Sequence, residues 1–124
     1  MVLMRRGLAC AGVLAAVCVF SAGAKAEEKV DQFTVVNVEY EGTKIWLPAT
    51  LVVHKGDKVK IRLINNVKSD PNQHGFAIPA YNVAVVVTRG EPNNVEFVAD
   101  KAGIFPINCQ LHPAHVGGQL VVLE

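Results

Sequence analysis

Between Cys109 and His115 the chain places one thiol and two imidazoles within seven residues, in the spacing Cys109-x-x-His112-x-x-His115. Thiolate and imidazole are the donors that copper and zinc prefer, whereas calcium and magnesium take oxygen. Three donors on one short loop do not close a site. Any fold open to this chain must therefore bring at least one more ligand to the loop from a distant stretch, and must hold both parts rigidly.

The loop is already stiff, because Pro113 restricts the backbone of His112 before it. His74, 35 residues before Cys109, is the expected outside ligand. It opens His74-Gly75-Phe76-Ala77-Ile78, where Phe76 and Ile78 alternate into a sheet and leave the histidine at a strand end. Each of the four has a plainer reading: Cys109 as a small buried apolar group, and His74, His112 and His115 as structural or solvated side chains. His54, before Lys55, reads as part of a solvated face.

The first 26 residues read as a secretory signal peptide. Arg5 and Arg6 precede an apolar run from Gly7 to Phe20, and Ala24-Lys25-Ala26 offers the small residues a signal peptidase reads. The run is shorter than the roughly twenty residues a membrane span needs, so no stable membrane insertion is expected after cleavage. Cys10 and Cys18 leave with the leader and lack the pattern of a lipid attachment site, so Cys109 stays as the lone thiol of residues 27–124. In an oxidising compartment such as the periplasm, a lone thiol drifts toward oxidation unless a metal covers it.

Cleavage would also take Arg5, Arg6 and Lys25 from the 12 Lys and Arg, leaving nine against 11 Asp and Glu. That balance argues against a nucleic-acid partner, which needs a basic face. Both methionines, Met1 and Met4, lie in the leader, so a thioether ligand is excluded from the domain over residues 27–124.

From Glu27 onward short strands alternate with turn signals, and no helical period is sustained. Strands are expected over 33–40, 45–47, 50–54, 58–64, 75–78, 83–88, 95–99, 104–108 and 119–123. The clearest is Lys58 to Ile64, with Val59, Ile61 and Leu63 on one face and Lys58, Lys60 and Arg62 on the other. With Lys55, these cations make a basic strip, read as a solvated sheet face or as a dock for an acidic partner. Trp46 and Tyr81 are read as packing or rim residues. The spacing predicts an all-β, two-sheet Greek-key sandwich.

Three stretches carry a family resemblance. Leu51-Val52-Val53-His54-Lys55-Gly56-Asp57, His74-Gly75-Phe76, and Phe97 to Phe105 running into Cys109-Gln110-Leu111-His112-Pro113 resemble the cupredoxins. Within that superfamily the chain is most similar to the nitrosocyanins, red copper proteins, and more weakly similar to the copper domain of cytochrome oxidase subunit II. The resemblance implies one copper ion per chain, with Cys109 and His112 as thiolate and first loop histidine, His115 as the second in a shorter loop, and His74 where nitrosocyanin has a glutamate. The oxidase domain needs a second cysteine where this chain has Pro113, which excludes a binuclear centre.

Without a methionine, the fourth ligand is His115, or failing it Gln119, Gln73 or a backbone carbonyl. A strong fourth ligand implies a red or green protein of lowered reduction potential. The functions left standing are single-electron transfer between redox partner proteins, with no enzymatic activity, and a copper centre whose open position takes a small molecule such as nitric oxide. Copper storage and a zinc site are further alternatives. Homo-oligomerisation stays open.

Overall fold

Alternation of valine, leucine and isoleucine with polar residues favours pleated strands with one dry face, and nine of them form. The computed structural model describes residues 23–24 and 27–124, so the expected signal peptide lies outside the described residues except for Gly23 and Ala24. The strands are β1 (Val30–Tyr40), β2 (Thr43–Leu47), β3 (Thr50–His54), β4 (Lys58–Asn65), β5 (Gln73–Ile78), β6 (Val83–Thr88), β7 (Asn93–Val98), β8 (Gly103–Ile107) and β9 (Gly118–Leu123). One 3-10 turn, Pro79–Tyr81, joins β5 to β6.

The expected all-β sandwich is the observed architecture. One sheet has the order β2-β1-β4-β7 and the other β3-β9-β8. Two pairings, β1 with β4 and β3 with β9, are parallel, so neighbours in space are far apart in sequence. The β5–β6 hairpin stands apart from both sheets and touches the second through one antiparallel bridge, Ala77 to Asn108. The ladder stops there because the chain leaves β8 at Asn108 to enter the ligand loop.

Val59, Ile61 and Leu63 point inward from β4, as their alternation predicted, and meet Val35, Leu51, Val53, Phe76, Ile78, Val87 and Leu120, all at most 1% exposed. Burying a side chain of this size contributes roughly 1.5–3 kcal/mol. The frame that carries the ligand loop therefore rests on apolar packing. On the wet face the basic strip is broken up by carboxylates: Lys60 lies 3.3 Å from Glu96, and Lys55 lies 3.5 Å from Glu124. No helix among the described residues is long and apolar enough to cross a membrane.

Two polar side chains fix the loop that leads to His74. The buried Asn65 amide donates to the carbonyls of Asn72 and Val87, both at 3.0 Å, while its oxygen accepts from the Val67 amide. Arg89 donates to the carbonyls of Val67 and Lys68 and pairs with Asp70 at 3.2 Å. A polar loop has few apolar contacts to hold it, so these bonds supply its order.

Candidate metal centre

The donor atoms of His74, Cys109, His112 and His115 all lie within 4.8 Å of one another. Groups bonded at about 2 Å to a shared ion sit within roughly 4–4.6 Å of each other, so this group closes on an ion with little movement. Two distant stretches meet to make it. His74 is the second residue of β5, paired in register with Val87, and Cys109 follows Asn108 at the exit from β8. The Ala77–Asn108 pair, bonded amide to carbonyl in both directions at 2.8 and 3.0 Å, clips these stretches together.

The loop after Cys109 is wound by its own backbone. The His112 amide donates to the Cys109 carbonyl at 3.1 Å, and the His115 amide to the His112 carbonyl at 3.0 Å. These turns stack the two loop imidazoles 4.6 Å apart and bring them 5.1 and 5.3 Å from the His74 ring. The Cys109 sulfur lies 3.5 Å from His112 Nδ1. A parallel bridge from Ile45 to Val116 ties the far side of the loop to β2. The return to β9 uses Gly117 and Gly118, where a Cβ would meet the carbonyls of Ile107 and Ala49.

Hydrogen bonding says what the site lacks. His74 is 0% exposed, yet neither ring nitrogen has a partner, and the buried Nδ1 of His115 has none either. A buried polar atom without a partner costs about 1–3 kcal/mol. A metal ion would relieve part of that cost by taking the one free lone pair of each neutral ring. Burial, and after it the neighbouring His112 and His115, hold His74 below the usual histidine pKa; burial and then His112 do the same to His115. Both shifts favour neutral imidazole, the form that binds metal. The donors are a cysteine sulfur and three imidazoles, with no carboxylate among them. This soft set is able to bind one copper ion.

The other residues that the sequence brought forward have partners of their own. Gln119 directs its amide to the Thr50 hydroxyl at 3.4 Å, and Gln73 to the Thr88 hydroxyl at 3.3 Å. His54 is exposed, with Nδ1 3.9 Å from Asp57. Tyr81 packs on Phe97 and Phe105, as expected of a packing residue. Trp46 does more than pack: it is buried, and its indole Nε1 donates to the Gly75 carbonyl at 2.9 Å. The Gly75 amide in turn donates to the Cys109 sulfur at 3.1 Å. Sequence reading passed over Gly75, although a glycine inside a strand signals a close backbone approach. Around the loop, Leu111 and Val116 are exposed and leave an apolar rim.

Comparison with known proteins gives one family and several relatives. The model of the family described as "Cupredoxin-like domain" matches residues 10–122. Nitrous-oxide reductase of Cupriavidus necator is 49% identical over 55 residues, which cover 44% of this chain and 9% of that protein. The nitrous-oxide reductase of Ralstonia nicotianae is 44% identical over 55 residues, 44% of this chain and 8% of that protein. The matched stretches thus span under a tenth of these relatives' length. Among solved structures, the copper nitrite reductase of Nitrosomonas europaea superposes with a TM-score of 0.59 at 24% identity, over 77% of this chain and 42% of that one. The metal-binding domain of a Cu(I)-exporting P-type ATPase of Streptococcus pneumoniae gives 0.63 at 15% identity, over 81% and 92%. At these identities the solved structures speak for the fold.

Proposed function

The chain belongs to the cupredoxin-like domain family, and from that premise we propose that it is an exported, periplasmic mononuclear copper protein that passes single electrons between redox partners. In this reading His74, Cys109, His112 and His115 are the ligands. The observation that carries it is the fully buried His74, with both ring nitrogens unpartnered and one of them within 4.8 Å of a thiol and two further imidazoles. Bound copper supplies a one-electron couple. The protein supplies a ligand frame braced by β5, β8 and β9, which keeps the donors still while charge changes. Half-buried His112 and the apolar rim of Leu111 and Val116 give a partner a surface on which to approach the site. No methionine lies in residues 27–124, so a third imidazole as the fourth ligand lowers the potential and gives a red or green protein, in line with the resemblance to nitrosocyanin.

A second reading is an open coordination position that takes a small molecule such as nitric oxide. The names of the nitrous-oxide reductase relatives and of the copper nitrite reductase neighbour favour it, and both loop imidazoles are half-buried on the solvent side. Visible and electron-paramagnetic spectra of copper-loaded protein test both readings. A sulfur-to-copper band that changes in His115→Ala is expected, and an unchanged band removes His115 from the ligand set. A spectrum indifferent to azide and nitric oxide supports the electron carrier, whereas a shift moves the case to the open site. Absence of colour after copper loading would overturn both and favour zinc.

A further inference from the structure

Gly75 is gripped at both ends. Its amide donates to the Cys109 sulfur at 3.1 Å, and its carbonyl accepts from the Trp46 indole at 2.9 Å. Trp46 cannot easily turn, because it is 5% exposed and meets the Phe76 ring edge-on, at 5.5 Å and 84°. A third hold comes from Gln110, the residue after Cys109. Its side-chain Nε2 donates to the Val85 carbonyl on β6 at 3.0 Å, which lays the side chain across Gly75. A Cβ at position 75 would overlap the Gln110 side-chain oxygen and come within 3.0 Å of the Gln110 backbone nitrogen. Gly75 does not have a positive φ, so glycine is required here for space and not for backbone conformation.

We infer that Trp46 and Gln110 are positioning residues that hold the Gly75 amide on the Cys109 sulfur and thereby set how strongly that sulfur donates to its metal. The inference deepens the copper reading and rests on it. A thiolate that accepts a hydrogen bond has less charge to give, so hydrogen bonding at the cysteine sulfur tunes a copper site's potential. Trp46 acts through the Gly75 carbonyl, and Gln110 fills the space against Gly75 where a Cβ would lie. If either hold is loosened, the peptide can tilt and the amide-to-sulfur bond lengthens.

The test compares the full protein with its Trp46→Phe and Gln110→Met variants, each loaded with one equivalent of copper. Trp46→Phe keeps an aromatic ring against Phe76 but loses the indole donor. Both variants are expected to shift the sulfur-to-copper band to longer wavelength and to lower the reduction potential, with copper stoichiometry unchanged. In the copper-free protein, the Gly75 amide should exchange with solvent faster in both. A purely structural role would lower Tm and leave the band, the potential and the Gly75 exchange rate in place, and that result overturns the inference. If Trp46→Phe does not fold, Gln110→Met decides. Failure of the copper reading shows separately, as the lack of any thiolate band in the unsubstituted protein; the copper-free exchange rates then decide whether the two side chains hold the amide.

Discussion

His54 and His74 occupy opposite ends of the sandwich, and their surroundings differ in kind. His54 ends β3 at the far side from Thr50, which pairs with Gln119 just beyond the ligand loop. Its imidazole is exposed, and the buried polar group beside it, Asp57, is served from within the chain: its Oδ2 accepts from the His54 amide at 2.8 Å and from Lys29 at 3.0 Å. At the other end the buried His74 ring is served by nothing in the chain. Polar burial that the fold completes by itself is structure. Polar burial that it leaves incomplete beside a thiol and two further imidazoles points to a missing component.

The largest effect expected from this contrast is at His74. His74→Leu should abolish tight copper binding in a titration, yet leave the copper-free protein as stable or more stable, by about 1 kcal/mol, because two unpartnered buried nitrogens disappear. A strong loss of copper-free stability in thermal melts would break the contrast. Asp57 should behave in the opposite way. The His54 amide first, and Lys29 second, hold its carboxyl below the ordinary value of 3.8. Its contribution to stability is therefore full above that value and lost as pH falls through the depressed native pKa. Acid unfolding of Asp57→Asn should lack this dependence, and the copper spectrum should not change. The smallest effect belongs to His54→Gln, an exposed site, where stability measured by denaturant should move by no more than about 0.5 kcal/mol and copper binding not at all.

Much of this arrangement is legible in the sequence where it is periodic or local. The strands at 50–54 and 83–88 have the expected limits, and Val59, Ile61 and Leu63 point inward as their alternation requires. The four residues brought forward as a metal set are the four that the fold gathers. The rest depends on bonds between a side chain and a remote backbone, which leave no period behind. Asn65 and Arg89 look like ordinary loop-flanking residues until the carbonyls they reach are known. Trp46 reads as packing because its partner, Gly75, lies 29 residues away. The separate β5–β6 hairpin was likewise hidden, since nothing local says that its backbone bridge to the neighbouring sheet will be the pair Ala77 and Asn108.

The position of β9 has a consequence for when a metal can be captured. Cys109, His112 and His115 precede β9 in the chain, and β9 is flanked by β3 on one side and β8 on the other. The loop is pinned at both ends only once this final strand has slotted between its neighbours. Until then the three loop donors, close in sequence, have no fixed position relative to His74. The complete four-donor set is thus available to a metal only wherever folding finishes.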